Sequence, residues 1–164
     1  MNGINLKTNS PQQTKLIAKL LAREILRKKL KAKLALVLAL SGNLGGGKTT
    51  FARGFLRGAG IRKKITSPTF VVIKNYKLQN TNHKNIYHID CYRLKTAKEI
   101  LNLGLKGVLA NQENIILIEW PEKVKKYLPK NYILIKFKHG KKENERIVII
   151  KMNPHTKRVV GKIN

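Results

Sequence analysis

LALVLALSGNLGGGKTT, residues Leu34 to Thr50, decides how the rest of the chain is read: seven apolar residues run straight into a glycine-rich turn closed by a lysine and two threonines. From Gly42 to Thr49 the spacing fits the phosphate-loop pattern G-x-x-x-x-G-K-[ST] at every fixed position. Glycines suit such a loop because its backbone needs angles that a side chain would forbid and because its N–H groups must approach phosphate oxygens closely. The amides of Asn43, Leu44, Gly45, Gly46, Gly47, Lys48, Thr49 and Thr50 are therefore expected to wrap a phosphate chain. Lys48 would bring an ammonium to the β- and γ-phosphates, and the Thr49 hydroxyl would complete the coordination of Mg²⁺.

The flanks agree with this reading. Leu34 to Leu40 is a continuous apolar run of the kind found in parallel strands covered on both faces. Thr49 to Ala59 reads as the helix whose positive N-terminal end adds to anion binding, with Phe51, Phe55 and Leu56 apolar and with Gly58 and Gly60 as stop signals.

At 164 residues the chain suits one domain, residues 1–152, followed by a basic tail, residues 153–164. The single cysteine, Cys91, excludes an intrachain disulfide and points to a reducing compartment, the cytoplasm. Arg27 to Ser41 imitates a signal peptide, but it lies far from Met1 and ends in the phosphate loop, and its apolar run is too short to span a bilayer. The formal charge of +27 would attract nucleic acid. Yet the lysines are spread along the chain rather than gathered in one stripe, the pattern that drift towards A- and T-rich codons produces. Only eight acidic residues remain and Asp90 is the only aspartate, so each surviving acid is informative.

In chain order, a short N-terminal strand precedes a helix announced by Ser10 as N-cap and Pro11 at its first position, with Leu16, Ile17, Leu20, Leu21 and Ile25 as its apolar face. Ser67-Pro68-Thr69 reads either as an ordinary turn or as a switch loop whose hydroxyls sense the γ-phosphate, and Phe70 to Ile73 as the strand after it. Ile86 to Asp90 is the next strand, and alternation puts His88, Asp90 and Tyr92 on one face. Thr96 and Glu99 form a capping box for a short helix that Gly104 ends. Ile115 to Ile118 then delivers Glu119 in the manner of a Walker-B strand, placing a carboxylate where it can hold Mg²⁺ or polarise water. Trp120 packs either beside a nucleotide or in the core. Pro121 opens another helix to about Tyr127, and Tyr132 to Lys138 with Glu145 to Lys151 form a hairpin in which no chemistry is evident. The fold expected is a three-layer α/β P-loop architecture, its mainly parallel sheet extended by antiparallel strands.

The order GNLGGGKTT, SPTF, HIDCYR, EILNLGL, LIEWPE resembles the TsaE family, formerly YjeE, over roughly Ser10 to Arg146. The resemblance implies a P-loop ATPase with ATP and Mg²⁺ as cofactors. It would dock on the TsaD and TsaB proteins, which threonylcarbamoylate adenosine 37 of tRNAs reading ANN codons, and would bring the chain close to tRNA. It implies phosphate and Mg²⁺ roles for Lys48 and Thr49, a switch-like loop for Ser67 and Thr69, Mg²⁺ or hydrolytic roles for Asp90 and Glu119, and the family's tryptophan in Trp120. The chain departs from the family at Asn43 and near Lys106 and Gly107, where acids are frequent, and at Gly46, where alanine is. Two other readings are a small-molecule kinase, which would need an arginine-bearing lid that the sequence does not show, and an RNA-binding module using the positive charge.

Overall fold

The computed structural model describes residues 3–28 and 33–152, together with residues 154, 156 and 157. Its strands are β1 (Ile4–Thr8), β2 (Leu36–Gly42), β3 (Ile73–Lys77), β4 (Asn85–Asp90), β5 (Asn114–Glu119), β6 (Ile133–His139) and β7 (Arg146–Met152). The α-helices are α1 (Pro11–Leu26), α2 (Lys48–Gly58), α3 (Ala97–Asn102) and α4 (Leu105–Ala110), and the helix expected from Pro121 to about Tyr127 is a 3-10 helix, Pro121–Tyr127.

The strands form one sheet in the order β1-β7-β6-β2-β5-β4-β3. The inner four, β6, β2, β5 and β4, run parallel, and antiparallel pairings of β3 with β4, β6 with β7 and β7 with β1 extend the sheet at both sides. This is the three-layer α/β P-loop architecture expected.

Alternation along the central strands feeds two cores. Leu36, Leu38 and Leu40 of β2, with Ile115 and Leu117 of β5, pack against α1 and α2. Val37, Ile116 and Ile118 point the other way, towards Ile100, Leu105, Leu109 and Val124. A strand covered on both faces cannot alternate with polar residues, which is why β2 and β5 read as continuous apolar runs.

Helix α1 begins as expected, with Ser10 Oγ accepting from the Gln13 amide at 3.2 Å. Of the expected apolar face Leu21 and Ile25 are buried, but Leu16 and Leu20 are each 54% exposed, and Ala18 and Ala22 are fully buried instead. The cause lies on α2. A Cβ at Gly54 would sit 2.5 Å from the Lys15 carbonyl oxygen, and one at Gly58 would sit 2.5 Å from that of Lys19. The helices meet backbone to backbone through small residues, which excludes leucine from the seam. Gly58 is thus a packing residue, and Gly60, at φ +86°, is the glycine that ends the turn.

Phe70 to Ile73 is a further correction. Phe70 and Val71 are 81% and 56% exposed. They lie in a turn in which the Val71 amide donates to the Pro68 carbonyl at 2.9 Å, and the strand starts only at Ile73. Of the expected tail, residues 153, 155 and 158–164 lie outside the described residues, as do residues 29–32 of the basic link after α1. Thr156 is buried and donates to the Tyr132 carbonyl at 3.2 Å. Among the described residues no helix is long and apolar enough to cross a membrane.

Candidate active site

Sheet register assembles the site. Leu40 on β2 pairs with Glu119 on β5, and Glu119 pairs with Asp90 on β4, so Leu40 and the last residues of β5 and β4 stand in one row. Side chains level with one another share a face, and this row faces the side of α2. Strand β2 ends at Gly42, where the chain turns through the glycine loop, and α2 begins at Lys48, which places Thr49 over the carboxylates.

Thr49 Oγ1 donates to Glu119 Oε2 at 2.7 Å. The other oxygen, Oε1, is bonded to His88 Nε2 at 2.8 Å. Asp90 is also fully engaged: Thr69 Oγ1 donates to Oδ2 at 2.6 Å, and the Tyr92 amide donates to Oδ1 at 2.9 Å. Ser67 joins through its hydroxyl, 2.6 Å from Thr69 Oγ1. Strand β4 lies inside the sheet, so His88, Asp90 and Glu119 are buried acids and bases rather than a solvated edge.

Lys48 Nζ donates to the carbonyls of Gly42 at 2.6 Å and Asn43 at 2.8 Å, and lies 3.8 Å from the centre of the Trp120 ring. Burial pushes its pKa below the ordinary lysine value, while Glu119, Glu122 and Asp90 pull it back up. The ammonium is thus held dry, among carboxylates, at the floor of the loop. Gly45 and Gly47 have φ of +71° and +105°, and a Cβ at Gly46 would lie 2.9 Å from the Asn43 carbonyl oxygen. The loop's shape therefore favours glycine at 45 and 47, whereas an alanine at 46 would need the Asn43 carbonyl to shift. Residues 44–50 with Thr69, Asp90, Tyr92, Glu119 and Trp120 border a cleft of about 280 Å³. Asn43 contributes its carbonyl to Lys48, and Ser67 reaches the cleft only through Thr69.

Three contributors carry no signal at the level of motif. Arg146, at the start of β7, donates to the Gly45 carbonyl from Nε at 3.2 Å and Nη2 at 3.1 Å. His139 Nε2 lies 3.3 Å from the Leu44 carbonyl oxygen. The hairpin that reads as plain scaffold therefore grips the outer edge of the phosphate loop. His88 is the third; only its two-residue spacing from Asp90 hinted at it. Cys91 is no nucleophile: burial, with Asp90 beside it, pushes its thiol up to about 12.

Hydroxyl and carboxylate oxygens beside a glycine cradle and an ammonium are the hard donor set that a phosphate-bound Mg²⁺ takes. Among the described residues no cluster of three or more His, Cys, Asp or Glu could enclose a metal by itself.

Strand order, loop and following helix define a P-loop protein of the α/β class. A family model described as "Threonylcarbamoyl adenosine biosynthesis protein TsaE" matches residues 8–148, and the chain belongs to the TsaE family. The protein of Bacillus subtilis named "tRNA threonylcarbamoyladenosine biosynthesis protein TsaE" is 37% identical over 147 residues, 90% of this chain and 85% of its own length. The Haemophilus influenzae protein of the same name is 40% identical over 95 residues, and the match spans 58% of each chain. The crystal structure of Bacillus subtilis YdiB superposes with a TM-score of 0.73 at 31% identity, covering 97% of this chain and 91% of that one.

Proposed function

We propose that this chain is an ATPase of tRNA modification. It would bind Mg–ATP in the cleft and hydrolyse it in the cytoplasm to support TsaD and TsaB, which threonylcarbamoylate adenosine 37 of tRNAs reading ANN codons. The observation that carries the proposal is the 2.7 Å bond from Thr49 to Glu119 at the mouth of a glycine loop whose lysine is buried and positive. Bound Mg–ATP supplies a γ-phosphoryl group for transfer to water, and little is left for the protein beyond positioning and charge.

Each residue then has one task. The amides of residues 43–50 and the α2 N-terminus bind phosphate oxygens. Lys48 offsets charge on the β- and γ-phosphates. Thr49 and Glu119, already joined, are the residues that would hold the metal. Asp90 ties the Ser67–Thr69 loop to the same row of carboxylates, so a shift of that loop is felt at the cleft, and its carboxylate stands where it can orient water. Trp120 walls the cleft beside Lys48. Reset of the TsaD–TsaB transferase between turnovers is the use made of hydrolysis.

Mg²⁺-dependent ATP hydrolysis by the purified chain, alone and with its own TsaD and TsaB partners, tests the proposal. Stimulation by the partners, lost in Lys48→Ala and in Glu119→Ala, is expected. Turnover unchanged in Lys48→Ala would overturn it.

A further inference from the structure

We propose that His88 is the positioning residue for Glu119: its Nε2–H holds one carboxylate oxygen so that the other points at Thr49 and the phosphate loop. The inference deepens the ATPase reading and rests on it only for the identity of the ligand.

The geometry is specific. His88 is level with Leu117 on β5, two residues before Glu119 on the same face, so its ring meets the carboxylate diagonally across the strand pair. Both side chains are out of solvent, at 0% and 2% exposure. Glu119 thereby divides its oxygens: Oε1 goes to His88 and Oε2 to Thr49. A carboxylate held at one oxygen only could rotate about its last bond, because that torsion is broad. Held at both, it presents a fixed lone pair to whatever the Thr49 hydroxyl binds.

Hydrogen-bond accounting fixes the tautomer. Among the described residues His88 Nδ1 is buried without a partner. A neutral ring with its proton there would set a bare Nε2 lone pair 2.8 Å from a carboxylate oxygen, two acceptors with no proton between them. Ionised Glu119 accepts only. The neutral Nε2–H form satisfies both ends of the bond, and the partnerless Nδ1 leaves a ring committed to Glu119 alone. Partners of a metal-binding carboxylate typically set its affinity by about ten- to a hundredfold.

The experiment compares wild type with His88→Leu, which removes the donor, and His88→Gln, whose amide nitrogen reaches the Nε2 position. Two readouts are taken. The first is ¹⁵N NMR of the imidazole in the nucleotide-free protein, where the Nε2–H tautomer is expected; the Nδ1–H tautomer would overturn the inference. The second is ADP binding by calorimetry, with Mg²⁺ and with chelator. His88→Leu is expected to weaken Mg–ADP binding about tenfold or more and to leave metal-free ADP binding unchanged, with His88→Gln restoring most of the loss. Equal losses with and without Mg²⁺, or no rescue by glutamine, would reduce His88 to a packing residue and overturn the inference. A wild type that binds no Mg–ADP would overturn the ATPase reading instead, and the tautomer would still decide the role of His88.

Discussion

Lys48 holds its ammonium 3.8 Å from the centre of the Trp120 ring. Trp120 is the only tryptophan in the chain, so one fluorophore reports on the charge that the cleft presents. Titration with Mg–ADP should produce a saturable change in its emission. Lys48→Ala should weaken the apparent affinity by at least about tenfold, as loss of a charged hydrogen-bond donor does. An unchanged binding curve in the variant would remove Lys48 from the site.

Glycine-to-alanine changes in a helix normally stabilise it by about 1 kcal/mol when the site is exposed. At Gly54 and Gly58 the sign should reverse, because the added methyl would meet the backbone of α1 at 2.5 Å. Losses of about 1–3 kcal/mol per substitution are expected, the usual cost of overpacking. Urea denaturation of Gly54→Ala and Gly58→Ala checks this, and a gain in either would show that α1 can move aside.

Arg146 braces the Gly45 carbonyl from outside the loop. Removing it in Arg146→Ala should leave the thermal midpoint nearly unchanged, because the contact is exposed. It should weaken Mg–ADP binding by about fivefold, the worth of one hydrogen bond near 1 kcal/mol. Calorimetry decides, and undiminished affinity would make the brace ornamental.

Glu145 accepts from Lys7 at 2.8 Å and from the Lys141 amide at 3.2 Å, and these bonds, Lys7 foremost, hold its carboxyl below the ordinary glutamate value. A depressed carboxyl stabilises the fold above the unfolded value, about 4.3, and loses that contribution as pH falls through the folded one. Wild type should therefore be more stable than Glu145→Gln at neutral pH, and the difference should begin to shrink as pH falls below about 4.3 and vanish once it has passed the lower folded value. Thermal melts across that range test the sign.

The phosphate loop, Glu119 and Asp90 were legible because each sits where an apolar run stops, and a strand end is a local pattern. The order of the strands was not, since it depends on pairings between distant segments. Leu16 and Leu20 misled because helical periodicity marks a face but not the shape of what packs on it; the glycines of α2 decided that. Phe70 and Val71 have strand-forming side chains, yet Val72 at φ +62° belongs to a turn whose carbonyl accepts from the Asp90 amide at 2.9 Å. His139 and Arg146 act through contacts with a distant segment that nothing next to them in the chain announces, and for His88 the spacing from Asp90 marked a shared face but not the bond to Glu119.

Strand β1 pairs along its whole length with β7, Ile4 opposite Ile150 and Thr8 opposite Arg146. Strand β1 leaves the ribosome before β7 by most of the chain and so waits long for its neighbour, and β6 shows a bare edge until β7 arrives beside it. Synthesis and folding cannot keep step in this molecule. The row of side chains on β2, β5 and β4 can assemble earlier, but the hairpin that grips the phosphate loop comes only with β7. A chain stalled before Arg146 would combine a half-built cleft with two unpaired strand edges, the kind of surface on which nascent chains associate.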